Sequence, residues 1–426
     1  MAVPIAARDV AAVVGALLVL TAAFSVVGTL MVPRPVASRL TRWVDVIVNG
    51  AFTLITRPIA SYKRRDRILA AQAAAILLGQ LATWLLISFI GYTLLVWPFT
   101  SGGITSAVTL AGPAVFGPND ALGAAERIIA DLAAGTALII VTLQIAYLPT
   151  LYSAFNRRED EVSLLNARAG VPSWGPELLA RTHYALGSGT STIDTLPDLY
   201  QQWEGWAADL AESHTTYLPL VRFRSPRPLS SWVTTLLAVL DSAALYLALA
   251  PQSAPVVPAR LCLRSGFVCL RQIAQAMGSA IPDEPDPDAE ITLSHQEFLD
   301  AVARLKKVDF PIERDPAEAW PEFVGWRVNY ELAAYTVAYA LDAVPAMWSG
   351  PRRRPTAPVA PLRPAARPGQ VTSAEPPRTR QRRSRRSAHH DRARGRSIDE
   401  LAKFVTTQVR DPQWREADDD LPGPYF

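Results

Sequence analysis

The residues with chemistry to offer in this chain are few and scattered. Among 426 residues there are five histidines and two cysteines. His183, His214 and His295 stand apart, and Glu212-Ser213-His214 lacks a third group at metal-binding spacing. Isolated histidines of this kind read as satisfied core or surface residues. Cys262 and Cys269 share a helical face but lie too far along it for a disulfide, and they lack zinc spacing. They read as reduced core residues. The acidic run Asp283–Asp288 has prolines where a calcium loop needs its glycine, so it reads as a solvated linker. No phosphate-binding loop or dinucleotide fingerprint occurs. The expectation is no enzyme, no cofactor and no metal centre.

What remains is ion handling by backbone and by a few polar side chains. Potassium filters present rings of backbone carbonyls from a Thr-Val-Gly-Tyr-Gly-like segment. The stretch 110-LAGPAVFGPND-120 has the position of such a segment, between two apolar runs, without those letters. Its filter candidates are Gly112, Pro113, Val115, Phe116, Gly117, Asn119 and Asp120. Pro113 and Pro118 each remove an amide proton and fix the chain, which opposes a symmetric carbonyl ladder. Asn119 and Asp120, with Glu126, either ring an outer mouth and attract cations or are ordinary surface groups. In the following apolar run, Thr136, Thr142 and Gln144 are pore-lining candidates, because polar groups within a span face the bundle interior. Threonine can also simply bond its own helix.

Long apolar elements must position these groups. Three stretches carry no charge: Val10–Val32, Ile68–Trp97 and Leu132–Phe155. At ~1.5 Å rise per residue each is long enough to cross a hydrocarbon layer of roughly 30 Å. Eight Lys or Arg lie between the first two runs, from Arg34 to Arg67, and only Arg127 lies between the second and third. Arg157 and Arg158 follow the third run. That asymmetry places the N-terminus outside and the chain after the third run inside.

Residues 36–60 are apolar but interrupted. They read either as a helix in the inner membrane surface anchored by Trp43, or as a short hairpin covering the span ends. The loop 98–131 is uncharged from Ser101 to Phe116. It is a re-entrant segment or an apolar outer flap, and non-helical backbone at membrane depth needs protein around it. Pro149 should end or kink the third span. From Asn156 the pattern is helical and polar, with helices near 159–169, 176–186, 194–214, 229–249, 258–278, 294–307 and 317–348. The run 229–250 is apolar enough to suggest a fourth span. Asp241 and its short length favour a buried core helix.

The tail concentrates charge. Residues 349–396 hold 14 arginines against Glu375 and Asp391, or +12 of a total of +3, leaving −9 for the rest. With almost no large apolar residue this tail should be disordered. Arg382, Arg383, Arg385 and Arg386 are its lipid-binding candidates, since anionic leaflets attract juxtamembrane arginines. The tail has no aromatics for base stacking, so nucleic acid is not the expected partner.

Three stretches carry a resemblance: 148-LPTLYSAFNRREDEVSLLNARAG-170, 212-ESHTTYLPLVRFRSP-226 and 230-SSWVTTLLAVLDSAALYLALAP-251. Together with the order of spans, they resemble bacterial membrane proteins described as potassium-channel-like, with a two-helix pore domain. The resemblance covers roughly residues 10–348. It implies a pore-domain fold and a helical cytoplasmic domain. It stops at the filter, where this chain is shortened and proline-substituted. The expected architecture is all-α, with three transmembrane helices, a pore-domain-like module with a re-entrant loop, a helical cytoplasmic domain and a disordered basic tail. The expected boundaries are 1–67, 68–155, 156–348 and 349–426. The expected setting is the bacterial plasma (inner) membrane, as a homo-oligomer in contact with membrane lipids. Two functions fit. One is an ion-channel-like protein passing monovalent cations through a non-standard filter. The other is a non-conducting scaffold or sensor.

Overall fold

The computed structural model describes residues 5–32, 39–100, 103–116, 123–182, 192–287 and 289–350. Apart from Thr192, all of these belong to one compact unit formed by 1–183 and 193–360. The described residues form helices and connecting turns, with no strand. The candidate residues Gly117, Asn119, Asp120, Arg382, Arg383, Arg385 and Arg386 lie outside the described residues, as does the whole tail from 351.

The first half holds α1 (Ile5–Leu30), α2 (Arg39–Thr56), α3 (Tyr62–Leu69), α4 (Gln72–Val96), α5 (Gly103–Phe116) and α6 (Ala124–Ala169). The second half holds α7 (Gly175–Thr182), α8 (Leu196–Thr216), α9 (Trp232–Leu249), α10 (Val256–Ala276), α11 (His295–Lys306), α12 (Pro316–Arg327) and α13 (Glu331–Ala340). Local chemistry explains several starts. Ser294 and Glu297 close a reciprocal cap at α11, with bonds of 3.3 Å and 3.0 Å to each other's backbone amides. Asp315 caps α12 by accepting from Ala317 N at 2.9 Å, and Pro316 follows where no amide proton is needed.

Four helical stretches are long and apolar enough to cross a membrane. They differ in what surrounds them. The apolar windows of the stretches containing α1, α4 and α6 are only 22%, 33% and 28% buried, whereas that of α9 is 100% buried. The first three leave apolar surface uncovered, as a helix in lipid does. The fourth is a core helix wrapped by protein. Its one acid, Asp241, is enclosed with Arg327, whose Nη1 donates to it at 2.5 Å, while Tyr330 donates a second bond at 2.8 Å. Burial of a carboxylate on an apolar helix is thus offset by a paired cation and a hydroxyl.

Three expectations change. The filter candidates Gly112, Pro113, Val115 and Phe116 belong to a 14-residue helix, Gly103–Phe116, and not to an extended carbonyl ladder. Gly103 itself turns the chain with φ 79°, a conformation other residues resist. Second, α6 runs 46 residues without a stop, about 69 Å at 1.5 Å per residue, straight through Pro149 and Asn156. A proline removes one backbone bond, and the packed turns on either side hold the helix across that gap. Third, the stretch expected as one helix over 317–348 breaks after Arg327 and resumes at Glu331.

Candidate pore module

Small residues let α1 approach α4. A side chain on Gly15 would fall 2.8 Å from Leu95 N and closer still to Gly91 O. One on Gly91 would lie 2.8 Å from Val19 Cγ2 and 2.9 Å from Gly15 O. The backbones therefore touch here. Lower on the same seam, fully buried Trp84 donates from Nε1 to Ser25 Oγ at 3.0 Å, so a polar ring atom is satisfied inside an apolar interface.

Helix α4 then packs on α6. Leu77 clusters with Tyr147 and Leu151, Trp84 with Ile140, and Tyr92 with Ala130, Ala133 and Ala137, so the two helices run antiparallel. The short helix α5 packs against both of them. Ala107 and Ala111, one turn apart, are the residues it buries. Gly112 meets Phe89, whose ring would lie 3.7 Å from a Cβ placed there. The backbone of Pro113, Val115 and Phe116 completes the helix.

The three polar candidates on α6 divide between two faces. Thr136 shares a 2.6 Å hydrogen bond with the Tyr92 hydroxyl, within the α4–α6 seam. Gln144 is buried along the same stripe, four residues past Ile140. Thr142 is exposed on the opposite face with Leu138, Ile139 and Ile145. That face covers nothing among the described residues. Sequence reasoning missed the polar groups of α4. Gln80 and Ser88 are both buried, and Gln80 Oε1, Ser88 Oγ and Gln144 Oε1 have no hydrogen-bond partner among the described residues. Their polar character within an apolar run was the available signal.

The module is clasped at one end by the turn Leu218–Arg222 and the residues after it. Leu220 is buried among Leu77, Tyr147, Leu151 and Ala154. Arg158 of α6, fully buried, donates to Leu220 O at 2.9 Å and to Phe223 O at 2.7 Å. Its Nη1 also lies 3.1 Å from His214 Nε2. A guanidinium has no acceptor, so Nε2 must be the unprotonated nitrogen and Nδ1 carries the proton beside Ser213 Oγ at 3.0 Å. Burial, and then the charge of Arg158, hold the His214 pKa well below its ordinary value. It is a core histidine kept neutral. Beyond it, Arg222 pairs with Asp45 of α2 at 3.2 Å, and Arg224 pairs with Asp66 of α3 at 3.3 Å. Arg224 also donates to Leu341 O at 2.9 Å, and Arg65 pairs with Asp342 at 3.2 Å. One short segment thus ties α2, α3, α4 and α6 to the second half. Cys262 and Cys269 lie far from this site, buried in α10, where burial pushes both thiols up.

No family description, no curated protein and no solved structure matches this chain.

Proposed function

We propose that this chain is an ion-channel-like membrane protein whose cation pathway is assembled from several copies. The observation that supports it is α5: a short uncharged helix wedged between two helices of membrane length, its last turn leading into the segment with Asn119 and Asp120. In this reading α1, α4 and α6 cross the bilayer and α9 does not. The N-terminus is outside, and the second half is cytoplasmic. The carboxyl end of α5 carries partial negative charge, which favours a cation near the chain that follows. Asp120, four residues on in the sequence, adds a full negative charge. One copy contributes a single α4–α5–α6 sector, so a closed pathway needs a homo-oligomer. The open face of α6 bearing Thr142 is the face that lines it, while Thr136 and Gln144 hold the sector together. The chain lacks the usual potassium-filter letters, so the pathway is selective for charge sign rather than for potassium.

The test is flux through liposomes holding the purified protein, with potassium, sodium and chloride gradients in turn. Cation flux that falls in Asp120→Asn and in Thr142→Phe supports the reading. Chloride flux, or cation flux indifferent to both substitutions, defeats it.

A second reading is favoured by the prolines at 113 and 118 and by the arginine tail. It is a non-conducting membrane scaffold or sensor, in which Arg382, Arg383, Arg385 and Arg386 hold anionic lipid. Absence of flux under every gradient, with vesicle binding by a tail peptide of 349–396, would favour it.

A further inference from the structure

Among the described residues, the apolar stripe of α2 has no protein partner. Trp43, Val46, Ile47, Leu54 and Ile55 are all exposed, and all but Ile55 fall on one stripe of the helix, spaced by three, four or seven residues. The opposite side is fixed. Leu40 packs on the cluster of Val26, Trp84 and Ile140, Val44 lies against Gly79, and Asn49 accepts from Gln72 at 2.9 Å. As α2 advances from 40 to 49, its α4 partners retreat from 84 to 72. The helix therefore descends alongside α4. It does not lie across the end of the bundle.

We infer that α2 is an oblique helix embedded in one lipid leaflet, with its exposed stripe turned to the acyl chains and its Trp43 end deeper than its Leu54 end. This rests on the membrane reading above and is independent of conduction. Lipid is the occupant the surroundings favour, because α1 and α4, against which α2 packs, also leave apolar surface uncovered. Arg57 follows the Leu54 end, where its long stem can reach the headgroups. From Trp43 to Leu54 the axis advances about 16 Å, enough to separate acyl from headgroup depth. The other side of the same helix holds Arg222 through Asp45, so lipid and the clasp grip one rigid element from two sides.

Trp43→Cys, Ile47→Cys and Leu54→Cys, each labelled with an environment-sensitive fluorophore, test this in vesicles of mixed phosphatidylcholine and phosphatidylglycerol. The buried native thiols stay in place. Phe24→Cys on α1 serves as the span reference and Leu164→Cys on α6 as the water reference, both sites being exposed. The expected result is loss of fluorescence with brominated lipids at all three α2 sites. The most effective bromine position should move toward the headgroup from residue 43 to residue 54. Equal depth at all three sites overturns the oblique placement. Quenching by aqueous iodide as strong as at residue 164 overturns lipid contact. Protection from both quenchers assigns the stripe to a second copy of the chain and overturns it as well. If residue 24 also escapes the brominated lipids, the membrane reading itself fails, and this proposal falls with it.

Discussion

The Gly15–Gly91 contact gives the sharpest test of the packing. Replacing Gly15 with alanine adds one methyl group that would meet Gly91 O and lie 2.8 Å from Leu95 N. Carbon atoms settle at roughly 3.5–4.0 Å from non-bonded neighbours, so α1 and α4 must part by about 1 Å. The obstructing atoms are backbone, and no rotamer change clears them. Over-packing of this kind costs about 1–3 kcal/mol, and a backbone obstacle puts Gly15→Ala at the upper end. At roughly 2.1 cal/mol/K per residue over the compact unit of 1–183 and 193–360, melting should fall by about 4 °C. Gly91→Ala should cost less, because its nearest obstacle is the Val19 side chain at 2.8 Å. Gly205→Ala is the control: nothing lies within 4 Å of a Cβ there, and alanine favours a helix by about 0.5–1 kcal/mol. The assay is thermal unfolding in mild detergent, followed by near-ultraviolet circular dichroism. A Gly15→Ala protein that melts with the wild type, or that tracks Gly205→Ala, would refute the claim that the two backbones touch.

Acid should weaken the clasp. The folded His214 pKa lies well below its ordinary value of 6.5, so below pH 6.5 the unfolded chain binds a proton that the folded chain refuses. Stability then falls with pH by up to about 1.4 kcal/mol per unit, and melting of His214→Gln between pH 7 and 5 should lose that dependence. Arg327→Leu should cost about 3–5 kcal/mol in a melting assay, because it strands both Asp241 and the buried Glu331, and Arg327→Leu with Asp241→Leu should recover only part of it, since Glu331 still lacks its cation. Cys262 and Cys269 should resist maleimide in the folded protein and react fully in denaturant, as read by intact mass.

The long apolar helices were legible because a long uncharged run is a one-dimensional signal. The enclosure of α9 was legible too, since Asp241 on an apolar helix asks for a buried partner. Its identity as Arg327, 86 residues away, was not. Helix α5 was hidden because Gly112 and Pro113 speak locally for a break, while Ala107 and Ala111 gain their role only from the helices around them. The continuity of α6 was hidden for the same reason at Pro149. Nothing in 218-LPLVRFR-224 announces that its two arginines reach α2 and α3, because those partners lie more than 150 residues earlier. His214 was read as a satisfied core or surface residue; it is buried, and Arg158 supplies the satisfaction.

The length of α6 has a mechanical meaning. A helix of about 69 Å with no loop in it is a shaft. Between Ala169 and the face bearing Thr142 lies one weak link, Pro149, where a backbone hydrogen bond is missing. Bending concentrates at that residue, and Leu220 packs beside it on Tyr147, Leu151 and Ala154. A displacement of the second half therefore reaches the apolar half through a joint that is braced from the side.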